Sequence, residues 1–146
     1  MQRRMSLSLV IAVGSCSEPV SPEPLGDYTT WKRIDVTGRA PGHGDTYRII
    51  YANDRAADPT WDLYLGYQED SIVVKEIRTN EDGQPGALQY VAIMRRLGPI
   101  DTALENQGGW LFSESDEPNG PETHADFCWN RCHVAAPYNG AWYDYR

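Results

Sequence analysis

Cys128-Trp129-Asn130-Arg131-Cys132-His133 constrains this chain more than any other stretch, because two thiols and an imidazole within six positions must share one spot. If Cys128 and Cys132 lie one helical turn apart, their i and i+4 side chains share a face, and His133 follows at once. The order matches the Cys-x-x-Cys-His signal of covalent haem attachment, with one extra residue between the cysteines. In that signal both thiols add to haem vinyl groups and the histidine binds the iron. Two other readings stay open at this point. A disulfide is sterically allowed, since the helical spacing separates the Cα atoms by roughly 6 Å. A zinc site would need further ligands, and the remaining candidates, His43 and His124, lack a recognisable spacing and read as loop or surface residues.

The amino terminus carries an export pattern. Arg3 and Arg4 precede a mostly apolar run from Met5 to Val13, followed by Gly14-Ser15-Cys16. Residues 1–15 therefore read as a signal peptide, and the run is too short to span a bilayer. Val13-Gly14-Ser15-Cys16 also resembles a bacterial lipobox, which would make Cys16 the lipidated first residue; the alternative is plain cleavage nearby. The expected location is the periplasm, with membrane contact only through a lipid on Cys16. Covalent haem attachment in bacteria takes place outside the cytoplasm, so the two signals agree. The net charge of −8 argues against a nucleic-acid partner, which would require a basic face. It permits a basic redox partner protein steered by long-range attraction.

Residues 16–26 read as a tether with three prolines, two glutamates and a closing glycine between Ser17 and Gly26. One folded domain is expected over 27–146. Its signals are mostly β: Thr46 to Ala52, Ser71 to Thr79, Leu88 to Arg96 and Trp110 to Ser113 are rich in β-branched and aromatic residues. Asn80 to Gly86 and Asn106 to Gly109 read as connectors, and Glu114 to Glu122 as a polar loop. A helix is expected over Ala125 to Ala136, stopped by Pro137. The expected class is α+β, an antiparallel sheet with packed helices, the carboxy-terminal helix carrying the haem motif.

On the strand Ser71 to Ile77, alternation puts Val73, Lys75 and Ile77 on one face. If that face lines a pocket, desolvation disfavours the ammonium form of Lys75 and makes a nucleophilic amine available. The alternative is an edge lysine snorkelling to solvent.

Arg48 to Asn53, Ser71 to Ile77 and the Cys128 to His133 site together resemble the cytochrome P460 family, which includes cytochrome c′-beta; the resemblance runs from about Tyr28 to Tyr145. It implies an antiparallel sheet with helices, usually a homodimer, and one five-coordinate haem c. It implies Cys128 and Cys132 as attachment points, His133 as axial ligand and Lys75 as a covalent crosslink to the porphyrin. It further implies oxidation of hydroxylamine or a related small nitrogen species; members without the crosslink resemble gas-binding or electron-carrying cytochromes. For such oxidation the resemblance also implies a carboxylate in the distal pocket, where it can accept substrate protons. Leu88 to Arg96 contains no acid; the nearest are Asp101 and Glu105, of which Asp101 is the candidate, and a pocket lined only by Val91, Ile93 or their neighbours would favour nitric oxide binding over handling protons. Arg48 is a candidate for the pocket or for pairing with a haem propionate.

Overall fold

The computed structural model describes residues 23–62, 66–97 and 108–146. Cys16, the export pattern and Asp101 lie outside the described residues. Within them, β1 (Lys32–Val36), β2 (Arg39–Ala40), β3 (Gly44–Ala52), β4 (Ile72–Glu81), β5 (Gln84–Arg96), β6 (Trp110–Ser115) and β7 (Thr123–His124) form one antiparallel sheet. The order is β1-β3-β4-β5-β6-β7, with β2 also paired to β3. The four runs expected as strands fall on β3, β4, β5 and β6. The connector Asn80 to Gly86 shrinks to a tight turn at Asp82-Gly83, both at positive φ (52° and 85°), the backbone that an Asp-Gly hairpin turn requires.

The expected α+β class with packed helices is not what the chain forms. The α-helix α1 covers only Phe127–Arg131, and Cys132 leaves helical backbone at φ −134°, ψ −55°. A 3-10 turn, His133–Ala135, follows. Only Cys128 of the three motif residues therefore lies on α1. Phe127, Cys128, Trp129 and Asn130 are middling helix formers, and a helix this short is not stable on its own. Asp126 caps nothing; its carboxylate lies 2.9 Å from the His124 ring instead. No helix among the described residues is long and apolar enough to cross a membrane.

Register decides what each face carries. Ile50 pairs with Lys75, Lys75 with Ala92 and Ala92 with Glu114, so these four side chains project from one face in a row across the sheet. From Ile50 at the end of that row, Ala52, Val73, Met94, Trp110 and Phe112 continue a core that Tyr67, Ala141 and Tyr145 cover. The opposite face packs Ile49, Tyr51, Val74, Val91 and Ile93 against Leu25 and Tyr28. There Arg95 grips Glu122 through both terminal nitrogens, with Nη2 to Oε1 at 2.6 Å, and the Ser113 hydroxyl donates to the same carboxylate.

That buried pair yields a prediction. Glu122→Ala leaves the Arg95 guanidinium buried without its counter-ion, and should destabilise the fold by about 3 kcal/mol in denaturant unfolding. A loss below about 1 kcal/mol would show that the pair is not held as described.

Candidate functional site

A cavity of about 340 Å³ opens between the β3–β6 face of the sheet, the β2–β3 turn and the segment from α1 to Tyr143. Cys128, Cys132, His133, Lys75 and Arg48 all line it. Three widely separated stretches of sequence, around Arg48, Lys75 and Cys128 to His133, thus converge on one cavity.

His133 is 6% exposed, and its Nδ1 lies 2.6 Å from the Gly140 carbonyl oxygen. A carbonyl only accepts, so Nδ1 carries the proton and donates, which leaves the lone pair on Nε2. The Tyr138 to Ala141 turn presents that carbonyl, with Asn139 and Gly140 both at positive φ. A side chain at Gly140 would meet Trp110 at 2.9 Å and Trp129 at 3.0 Å. The Phe112 ring, 4.8 Å away, packs on the imidazole. Burial pushes the His133 pKa down to about 4, with the Lys75 charge acting the same way and the Gly140 carbonyl opposing both. The ring is neutral at ordinary pH, the form that ligates a metal.

Cys128 and Cys132 are both unpaired thiols, half-buried at the cavity wall. The disulfide alternative is not formed. Nor do three or more His, Cys, Asp or Glu side chains among the described residues cluster as a metal-ion site, so the zinc reading finds no donor set. Burial raises the Cys128 thiol to about 11, with Glu114 adding to the shift.

Lys75 is only 7% exposed. Burial and then the Arg48 charge lower its pKa to about 8, against an opposing pull from the two cysteines. The edge-lysine alternative therefore fails: β4 is an interior strand flanked by β3 and β5. Arg48, 3% exposed, spends Nη2 on the Thr37 carbonyl at 3.3 Å, while its buried Nε and Nη1 have no hydrogen-bond partner. Unsatisfied guanidinium donors are costly, and Arg48 lines the cavity beside a second cation, Lys75.

Two residues were missed by the sequence reading. Glu114, expected in a polar loop, is the penultimate residue of β6 and lies in the Lys75 row with Ala92 between them. Two interstrand spacings separate their backbones by about 10 Å, and burial raises the Glu114 carboxyl pKa. His43, expected as a surface or loop residue, does lie in the turn between β2 and β3 but lines the cavity from there. Its Nδ1 is 2.7 Å from the Tyr90 hydroxyl and its Nε2 is 3.4 Å from Lys75 Nζ. Burial first, then the Lys75 and Arg48 charges, lower its pKa to about 3.

Of the expected lining by Val91, Ile93 or their neighbours, Ile93 and the neighbours reach the cavity and Val91 does not. Val91 packs wholly in the opposite-face cluster, and Ile93 belongs to that cluster although it reaches the cavity; Tyr90, Ala92 and Met94 are the β5 residues of the Lys75 face. One residue of phase on a strand exchanges its faces.

These residues fit a haem. A neutral imidazole with a fixed free Nε2 could bind its iron, two thiols stand next to it, and Val73, Ala92, Met94 and Phe112 would give apolar walls for a macrocycle. The unpaired donors of Arg48 suit an anionic propionate. Comparison with known proteins agrees. No curated protein matches the chain. The sequence model of one family, Cytochrome P460, matches residues 25–142, which covers all the strands and the cysteine-histidine site. A haem cofactor goes with that family, and the chain belongs to it.

Proposed function

We propose that this protein is a c-type cytochrome with one haem and an open axial position, and that it oxidises hydroxylamine or a related small nitrogen species. The observation that carries the reading is the His133 imidazole, locked by Gly140 with Nε2 free, on the wall of a cavity that also holds both thiols and a buried lysine. In this reading Cys128 and Cys132 hold the haem by thioether bonds, His133 binds its iron, Arg48 pairs with a propionate and Lys75 joins the porphyrin covalently. The haem supplies the redox chemistry. Lys75 supplies an amine that loses its proton far more readily than an exposed lysine does. The carboxylate needed to accept substrate protons is Glu114, whose raised pKa brings it nearer to the working range of a general base. Export to the periplasm, lipidation at Cys16, a homodimer and a separate redox partner belong to the same proposal.

Nitric oxide binding without turnover is the second reading. The apolar wall of Val73, Ala92, Met94 and Phe112 favours it, since a small neutral gas needs no proton acceptor.

Three outcomes test the proposal. Denaturing electrophoresis of matured protein should give a haem-staining band that disappears in the Cys128→Ala, Cys132→Ala double variant; a colourless band from the unaltered protein would remove the c-type reading. Glu114→Gln should lower hydroxylamine kcat about 10²-fold while the band still stains. Unchanged turnover would place the base elsewhere, and no turnover in the unaltered protein would leave the gas-binding reading. The third outcome concerns pH. In preparations whose Lys75 amine is free, the folded state releases its proton near pH 8 and the unfolded chain near 10.5. The unfolded chain then holds more protons between these values, so stability should rise across that window, by roughly 3 kcal/mol. Denaturant unfolding of Lys75→Met should lack this rise. The same rise in both proteins would contradict the buried-amine account.

A further inference from the structure

The cavity contains a hydrogen-bonded chain from Lys75 through His43 to Tyr90, of which the proposed function uses only the lysine. Lys75 Nζ, His43 Nε2, His43 Nδ1 and the Tyr90 hydroxyl follow one another at 3.4 Å and 2.7 Å across the ring. An ammonium only donates hydrogen bonds, so Nε2 accepts from Lys75 and Nδ1 carries the ring proton, which it donates to the Tyr90 oxygen. Tyr90 stands on β5 opposite Ile77, two residues along β4 from Lys75, so it projects from the Lys75 face of the sheet. The ring is thus gripped from the sheet at one nitrogen and offers the other to the lysine.

The turn that delivers His43 is itself seated. The His43 amide donates to the Ala40 carbonyl at 3.2 Å, and Gly42 holds φ +76°. A side chain built on Gly42 would touch Cys132 Sγ at 3.8 Å. The turn therefore brings the imidazole over the same wall that holds the second thiol.

We infer that His43, anchored by Tyr90, is the positioning residue of the Lys75 amino group: it holds the amine at one place in the cavity and so selects where on a bound macrocycle Lys75 can bond. This inference rests on the haem reading above. Joining Lys75 to a bound macrocycle would break one N–H and one ring C–H bond and form a C–N bond. The two electrons and two protons released would pass to a peroxide oxidant, one hydrogen peroxide giving two waters. His43 takes no part in the electron balance; it restricts the direction from which Nζ approaches. A four-carbon side chain without that restraint would sample several directions.

The test is peptide mass analysis of matured, haem-loaded full-length protein, with haem staining as the measure of thioether loading. His43→Leu should lower the fraction of Lys75 found joined to haem about ten-fold, the scale of one lost hydrogen bond, while staining is unchanged. Tyr90→Phe should lower it less, and His43→Gln should restore most of it because the amide oxygen can accept the same bond. A joined fraction in His43→Leu equal to that of the unaltered protein overturns the inference, as does a loss that Gln fails to restore. If the unaltered protein carries haem but free Lys75, the crosslink in the proposed function fails. The positioning is then read as the rate of acylation of Lys75 by a succinimidyl ester. His43→Leu should raise that rate about ten-fold by releasing the amine, His43→Gln should not, and equal rates overturn the inference. The acylation comparison reads the same way if the unaltered protein carries no haem at all.

Discussion

The register of β4 between β3 and β5 is the constraint on which the rest depends. It sets Ile50, Lys75, Ala92 and Glu114 in one row and so puts a cation and an acid on the face that carries the cavity. A slip of one residue would send Lys75 to the Tyr28 side and bring Glu76 to the cavity. Both faces resist the slip. Val73 and Ile77 are buried on one side of the strand and Val74 on the other, and Glu76 is held by the Tyr28 hydroxyl at 2.9 Å and by Arg78 at 2.9 Å. The lysine stays buried because moving it would expose apolar neighbours and break those bonds.

Burying Lys75 beside Arg48 concentrates positive charge in a place of low polarity, which is unfavourable without an anion or a change of protonation. The protein answers in the second way and leaves the first open. Lys75 is shifted toward its neutral amine, while Arg48 keeps two buried donors unmatched. Neutral imidazoles at His43 and His133 add no further charge at ordinary pH. An anionic, largely apolar group bound at the Arg48 wall satisfies all of these conditions together, and a haem with its propionates is such a group. The same surroundings explain why an amine here is chemically different from a surface lysine.

Much of this site could be read in the sequence, because its strongest signals are local. The cysteine-histidine spacing needs no tertiary information, and strict alternation around Lys75 shows which neighbours share its face. Other parts depended on pairing. Leu88 to Arg96 is apolar on both faces, so periodicity could not choose between Val91 and Ala92; the partner strands do. Glu114 sits next to a proline-containing loop, and only its pairing with Ala92 on one side and Thr123 on the other makes it a strand residue. His43 reaches the cavity because a two-residue strand, β2, folds back on β3, a pairing too short to show as a pattern. The helix was overestimated because the motif needs only one turn to bring its thiols near each other. The Asn139-Gly140 turn carried a readable signal, but its purpose, holding the His133 ring, appears only in three dimensions.

The most direct test of this account is the absorption spectrum of the matured protein after reduction. A haem bound by two thioethers, ligated by His133 and bonded to Lys75 should show a ferrous Soret band far to the red of an ordinary c-type cytochrome. A c-type band at the ordinary position would contradict the role given to Lys75, and the absence of any Soret band would contradict the haem site itself.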